Sequence, residues 1–165
     1  MLDAAAVPDV TDDELLARFV TVKKWVRADG TLKHNELIPP GSGKLSVMRH
    51  VQATEDEIWT EGREVARLRA KDLVGRVDLN AGECRRTGLE VIKSPLDVDP
   101  PSKPEPRRML ANPNHADLVY PLSDPANPGA PLPKADRMAI AKALLANGVQ
   151  VLRVPVDSGE STTRA

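Results

Sequence analysis

The chain has 165 residues, a length typical of one domain with its own buried core. Its formal net charge of −1 argues against a general affinity for nucleic acid or for a membrane surface. A single cysteine, Cys84, excludes an intrachain disulfide and a zinc site built from several cysteines. Because no apolar run approaches the ~18 residues of a membrane helix and no signal peptide is expected, we predict a cytoplasmic protein.

The beginning of the chain predicts a flexible leader over residues 1–10, followed by a single domain over residues 11–156. Thr11 begins the sequence Thr-Asp-Asp-Glu, which is a capping box and predicts a short helix that ends near Arg18. The next residues, 19–27, are rich in β-branched and aromatic side chains and therefore predict a strand.

A hairpin is predicted next. Asp29-Gly30 is typical of the tight turn in which both central residues adopt a positive φ, and residues 31–38 are expected to form the return strand. Residues 39–43 contain two prolines and two glycines, which favour a loop. A third strand is then predicted over residues 44–48.

The middle of the chain predicts two helices and two further strands. A second capping box at residues 54–57 opens a helix that runs to about Leu68. A strand is expected over residues 73–79, after which Asn80 caps a short helical turn. Another short strand is predicted over residues 89–92.

Proline dominates the following segment, because eleven of the fifteen prolines lie between Pro95 and Pro133. Proline fixes φ and lacks a backbone donor, so this segment is predicted to be a stiff connector rather than a helix or a central strand. Within it, residues 116–120 are the one stretch suited to pairing with a sheet. A helix over residues 136–147 and a strand over 149–154 are expected to follow, and residues 157–165 are predicted to be a disordered tail.

These elements together predict an α+β fold. We expect one small, mostly antiparallel sheet, two main helices on one face, and the proline-rich residues 95–133 wrapped over the surface. A single core is predicted because the elements after the proline-rich segment are too small to bury a core alone.

The basic residues are concentrated in one block. Between Arg18 and Arg49, seven bases stand against two acids, which gives a local surplus of +5. Such a block suits the phosphate groups of a nucleotide or a nucleic acid, although the solvated face of a hairpin has the same composition. Arg18, Lys44 and Arg49 are the candidate ligand-binding residues of this block.

The candidate catalytic residues are His115, Arg49 and Ser46. His115 enters the strand-like stretch inside the proline-rich segment, where a rigid backbone could hold its imidazole over the sheet as an acid–base group. Ser46 and His50 are four residues apart, a separation of about 13 Å in a strand, which is too long for a nucleophile and its base. No two histidines have helical spacing, so no metal-binding pair on a helix is predicted. We expect no cofactor.

Several short motifs are spread over most of the chain. They are Asp29-Gly30, Leu45-Ser46-Val47 with Arg49, Glu57-Ile58-Trp59 with Gly62, Gly88-Leu89, and Asn114-His115-Ala116 followed by Pro121. Together they resemble motifs of a family of small, uncharacterised bacterial proteins. The resemblance implies a free-standing bacterial or phage protein, and it implies no activity, cofactor or site residue.

The sequence leaves three functions open. The first is a non-enzymatic accessory protein that binds or assembles with another protein, because an extended proline-rich segment suits docking. The second is a small nucleotide- or RNA-processing enzyme or toxin, in which Arg18, Ser46 and Arg49 hold phosphate. In that enzyme His115 would be the acid–base group. The third is a nucleic-acid-binding protein that uses the basic block.

The first two functions predict different arrangements. An enzyme of this kind requires Arg49 and His115 to share one concave pocket. A binding protein predicts that these two residues are apart and that apolar surface is exposed along the proline-rich segment.

Overall fold

A computed structural model describes residues 1–105, 107–124, 126–127 and 129–156. One antiparallel sheet of six strands organises these residues, which confirms the predicted α+β class. The strands in chain order are β1 (Leu15–Val20), β2 (Lys44–Arg49), β3 (Gly75–Asn80), β4 (Glu90–Lys93), β5 (His115–Val119) and β6 (Val149–Val151). The helices are α1 (Glu55–Leu68), α2 (Ala81–Arg86) and α3 (Lys134–Asn147). The tail predicted at residues 157–165 lies outside the described residues.

The sheet has the strand order β4-β5-β2-β1-β3-β6. Strands β1 and β3 pair along six residues, whereas β1 and β2 pair only at Leu16 with Arg49 and at Ala17 with Met48. Beyond these two pairs, Arg18 Nη1 donates to the carbonyl oxygen of Ser46 at 3.0 Å. A side chain therefore takes the place of ladder hydrogen bonds at the centre of the sheet.

The two long helices lie on opposite faces of the sheet, so the prediction that both cover one face is wrong. Ala141 and Leu144 of α3 belong to a large core cluster with alternate residues of the strands, a side called here the α3 face. Ile58 of α1 packs with Phe19 and Met48 on the other side, called the α1 face. The reason is visible in β1, whose last five residues are all buried and therefore need cover on both sides.

The beginning of the chain differs from the prediction. Residues 11–18 do not form a helix, although the Thr11 amide donates to Glu14 Oε1 at 2.9 Å as a capping box requires. The chain enters β1 at Leu15 instead, because the six-residue pairing with β3 outweighs this local preference. Within the predicted leader, Leu2 is buried and its amide donates to Asn114 Oδ1 at 2.7 Å.

The predicted hairpin is present only around its turn, and the turn is not of the predicted type, because Gly30 has a positive φ and Asp29 does not. Gly30 has a φ of +82°, and the Arg27 amide donates to the Thr31 carbonyl at 2.7 Å. A single bridge joins Val26 to Leu32, after which residues predicted as a strand form a 3₁₀ helix at His34–Leu37. A first 3₁₀ helix, Lys23–Trp25, replaces the end of the strand predicted over 19–27.

The remaining elements follow the sequence closely. The capping box of α1 is formed, with the Glu57 amide donating to Thr54 Oγ1 at 3.2 Å and the Thr54 amide donating to Glu57 Oε2 at 2.8 Å. Asn80 caps α2 through the Glu83 amide, as predicted. Strands predicted near β2, β3, β4 and β5 are all confirmed to within two residues. No helix among the described residues combines the length and the apolar character that crossing a membrane requires.

The proline-rich residues form two excursions from the sheet. The first joins β4 to β5 and is called here the strap, residues 94–105 and 107–114. Its two arms meet where Leu96 and Asn112 form a bridge, and Arg67 on α1 donates to the Arg108 carbonyl at 2.8 Å. The strap therefore lies beside α1, on the α1 face of the sheet.

Candidate functional site

A cavity of about 180 Å³ lies between α1, the strap and the sheet, and is called here the strap cavity. Its lining is mainly apolar, with a smaller number of charged and polar side chains. The residues that line it are Arg18, Phe19, Ser46, Val47, Met48, Glu61, Glu64, Val65, Leu68, Arg69, Leu96, Met109, Leu110, Asn112 and His115.

Four residues of α1 and its C-cap residue form one wall of the cavity along a single helical stripe. Glu61, Glu64, Val65, Leu68 and Arg69 are spaced so that successive turns place them on one side of the helix. The sequence carries this signal, but the stripe mixes two acids with apolar residues and so does not stand out as an apolar face. A stripe that mixes polar and apolar residues is compatible with facing a cavity, whereas a stripe packed directly against the sheet would be mainly apolar.

The floor of the cavity comes from neighbouring strands. Met48 lies opposite His115 in the register of β2 and β5, and Ser46 points to the same side of β2 as Met48. Ser46 is exposed, so the floor is open to solvent. The structure thus brings together three of the predicted site residues, Arg18, Ser46 and His115.

The positive charge of Arg18 is balanced by a carboxylate within the protein. Arg18 Nη2 lies 3.0 Å from Glu36 Oε1, and the Glu36 side chain is completely buried. Burial raises the pKa of Glu36, since the nearby guanidinium of Arg18 offsets only part of the loss of water, and burial lowers the pKa of Arg18. Arg18 therefore supports the wall of the cavity more than it offers a free positive charge to a ligand.

His115 is fixed at one ring nitrogen. Its Nδ1 lies 2.8 Å from both the carbonyl oxygen and the hydroxyl oxygen of Ser94. Because a carbonyl can only accept, we assign the proton to Nδ1, which leaves Nε2 as an acceptor. His115 can therefore accept a hydrogen bond from a group in the cavity.

Glu61 is the acid in the cavity wall that has no ion-pair partner among the described residues. Burial raises its pKa, although a hydrogen bond from Asn112 acts in the opposite direction. The neighbouring Glu64 instead pairs with Arg67. A carboxyl group of this kind can offer a hydrogen bond to a ligand in its protonated form.

Two predicted site residues lie away from the cavity. Arg49 is fully buried, and its guanidinium donates to both carboxylate oxygens of Glu14 at 2.7 Å and to the carbonyl oxygens of Pro8 and Asp9. Arg49 thus holds the segment that leads into β1. Lys44 begins β2 and is exposed, and it is not part of the cavity lining.

Exposed apolar side chains occur along the proline-rich residues. Val98 and Leu110 on the strap are 58% and 56% exposed, and Leu122 after β5 is 42% exposed. Leu110 also lines the strap cavity, so apolar surface continues from the cavity to its rim. Arg49 and His115 lie on paired strands, where the Arg49 amide donates to the Asn114 carbonyl at 2.8 Å, but Arg49 does not line the strap cavity, so the two residues do not share that pocket.

Comparison of the chain with family models, with curated proteins and with solved structures found no match. The resemblance to a family of small bacterial proteins therefore stays a prediction. Among the described residues, no group of three or more His, Cys, Asp or Glu side chains is placed to hold a metal ion.

Proposed function

We propose that this protein is a cytoplasmic bacterial or phage accessory protein that binds another polypeptide through the strap cavity. The partner inserts one large apolar side chain between α1 and the strap. The observation that carries this proposal is an apolar cavity whose rim continues into the exposed side chain of Leu110. Interfaces commonly centre on one anchor side chain that fills such a pocket.

The size of the cavity supports a single side chain as its occupant. A cavity of about 150 Å³ accepts one benzene ring, and the strap cavity measures about 180 Å³. A leucine, methionine or phenylalanine side chain fits this volume. Most small-molecule sites are larger, about 300–1,000 Å³.

The rim supports a partner that covers surface around the anchor. Val98 and Leu110 expose more than half of their area on the strap. Around the anchor, a polypeptide would cover such apolar side chains and exclude water from the pocket. The acceptor Nε2 of His115 and the carboxyl group of Glu61 would then orient the backbone or a polar side chain of the partner.

Selection of peptides from a displayed random library tests this proposal. We expect peptides that share one large apolar residue, and we expect Ser46→Leu to abolish their binding because the new side chain fills the floor of the cavity. Ser46 is exposed and lies at a strand position, so leucine is compatible with the fold. Ser42→Leu, an exposed site in the loop before β2, is the matched control and should bind normally.

Two results would contradict the proposal. One is a selection that yields no peptide with an apolar anchor. The other is equal binding of a selected peptide to the wild-type protein and to Ser46→Leu, provided that both unfold at the same urea concentration.

A second candidate function is the small enzyme acting on a nucleotide or RNA. The observation that favours it is the shared position of Arg18, Ser46 and His115 in one cavity. Two observations weigh against it: Arg49 is held by Glu14, and the charge of Arg18 is balanced by Glu36. Hydrolysis of a nucleotide or RNA that His115→Gln abolishes and Ser42→Leu preserves would favour this enzyme over the binding protein.

A further inference from the structure

We propose that a second site, independent of the strap cavity, binds phosphate groups. It is a groove of about 550 Å³ between the first 3₁₀ helix and the turn that follows α1, and it is called here the lysine groove. Lys23, Lys24 and Lys71 line it and are all exposed. Its other lining residues are Thr21, Val22, Ala70, Asp72 and Val74.

Two backbone features bring these lysines together. The Val74 amide donates to the Val20 carbonyl at 2.8 Å. This hydrogen bond holds the segment that follows β1 next to the segment that precedes β3. Helix α1 ends in a Schellman motif, in which the Ala70 amide donates to the Arg67 carbonyl and the Lys71 amide donates to the Ala66 carbonyl. This motif turns the chain so that Lys71 lines the groove with Lys23 and Lys24.

No carboxylate of the described residues lies within ion-pair distance of the three lysines that line the groove. None of Lys23, Lys24 and Lys71 forms an ion pair with a described residue, and Asp72 is the one acid in the lining. Lys33 adds a fourth ammonium group nearby, since its Nζ donates to the Lys24 carbonyl at 3.1 Å. The negative C-terminal end of the α1 dipole explains why a base such as Lys71 is favourable beside that helix. It does not explain the presence of Lys23 and Lys24, which belong to another segment.

The surroundings favour phosphate over a protein partner. Lysine is depleted in the cores of protein–protein interfaces, whereas sites for nucleic acid and phosphate are polar and strongly basic. The groove exposes lysine ammonium groups, which bind phosphate as point charges. Its apolar lining residues, Val22 and Val74, are partly buried, so they leave little apolar surface for a protein to cover.

This site differs from the one that the basic block of the sequence predicts. Arg18 and Arg49 of that block are buried in ion pairs with Glu36 and Glu14. The groove instead combines two lysines of the block with Lys71, which lies outside it in the sequence. The proposed phosphate site is therefore smaller than the basic block, and it combines residues that are brought together by the fold.

The test compares two triple variants that remove the same charge. Lys23→Gln/Lys24→Gln/Lys71→Gln alters the groove, and Lys44→Gln/Lys134→Gln/Lys142→Gln alters three exposed lysines elsewhere. The probes are inorganic tripolyphosphate, a short single-stranded RNA and an oligoglutamate peptide, measured by calorimetry at several salt concentrations. We expect the groove variant to lose about tenfold or more in affinity for a phosphate probe and the control variant to change little.

The two phosphate probes identify the source of the phosphate. Binding of tripolyphosphate indicates a small phosphorylated ligand, and binding of RNA alone indicates a polynucleotide backbone, for which the triple substitution should lower the salt slope by about 2. Three results would overturn the proposal: no binding of either phosphate probe, equal losses in the two variants, or equally tight binding of oligoglutamate. Peptide binding at the strap cavity does not depend on any of these outcomes.

Discussion

The two faces of the sheet are built differently, although they share the same strands. On the α3 face, Leu16, Leu118 and Leu144 are almost completely buried in one continuous apolar cluster. On the α1 face, the apolar cluster is small, and a cavity and several ion pairs occupy the rest. We infer that the α3 face provides most of the free energy of folding. The α1 face can therefore retain a cavity and charged side chains that are available for binding.

Strand β3 shows how one sequence serves both faces. Val77 and Leu79 point to the α3 face, whereas Arg76 and Asp78 point to α1. Arg76 forms ion pairs with Asp78 and with Glu55, and its guanidinium carbon lies 4.6 Å from the ring centre of Trp59. Polar side chains therefore help to hold α1 against the sheet, whereas α3 is held on the other face by apolar packing.

The largest predicted effect concerns Arg18, which lies between the two faces. Removing one partner of a buried ion pair leaves the other charge uncompensated, at a cost of about 3–5 kcal/mol. We therefore expect Arg18→Met to lower the free energy of unfolding by this amount at neutral pH, as measured by urea denaturation. Replacing both partners, in Arg18→Met/Glu36→Leu, should restore most of the loss.

The same variant should show a characteristic dependence on pH. The folded-state pKa of Glu36 is raised above its unfolded value, and loss of Arg18 raises it further. The folded protein then binds more protons than the unfolded chain, so the stability of Arg18→Met should increase as the pH falls from neutral to about 5. A loss that is the same at both pH values and persists in the double variant would contradict the role given to this pair.

The next prediction compares one glycine on each face. A Cβ at Gly148 would lie 2.8 Å from Val77 and 2.9 Å from Leu79 within the α3-face core, so Gly148→Ala should cost about 1–3 kcal/mol. A Cβ at Gly62 would lie 2.7 Å from the Phe19 ring and 3.1 Å from Leu73, so the buried ring, which borders the strap cavity, would have to shift toward that space. The gain of about 1 kcal/mol in helix propensity should offset this contact, so Gly62→Ala should be nearly neutral.

Thermal or urea unfolding of the two alanine variants measures this difference. Equal losses at Gly62 and Gly148 would show that the α1 face is packed as tightly as the α3 face. That result would remove the structural basis for a cavity that can accept a side chain.

The smallest predicted effect lies at the end of α1. Ala70 has a φ of +50° at the position where a Schellman motif favours glycine. Relief of this strain should make Ala70→Gly more stable by about 0.5–1 kcal/mol, as measured by urea unfolding. The Gly43→Ala variant should show the opposite sign, since Gly43 has a φ of +71° and alanine would introduce the strain there. A destabilised Ala70→Gly would contradict this account of the turn.

The sequence predicted elements that depend on local signals and missed those that depend on distant ones. The capping box of α1 and the Asn80 cap of α2 are local, and both are confirmed. The same local signal at Thr11 predicted a helix that is wrong, because pairing between β1 and β3 decides that segment. The burial of β1 on both sides also places α1 and α3 on opposite faces.

The strap cavity was only partly predictable. The spacing of Glu61, Val65 and Leu68 indicates one face of a helix, but the position of the strap against that face depends on contacts such as Arg67 with Arg108. His115 and Ser46 were identified from the sequence, and the register of β2 and β5 places both on the floor. The sequence suggested Arg49 as a phosphate-binding residue because it belongs to the basic block. In the structure its guanidinium instead pairs with Glu14, which gives Arg49 a structural role.

The most direct test of the binding site uses the methionine methyl groups of the protein. Among the four methionines, Met48 and Met109 line the strap cavity and Met138 lies on α3. When protein carrying methyl-labelled methionine is titrated with a selected peptide in an NMR experiment, the signals of Met48 and Met109 should shift to saturation while that of Met138 stays constant. A shift of Met138 without the other two, or shifts that persist in Ser46→Leu, would contradict a binding site on the α1 face.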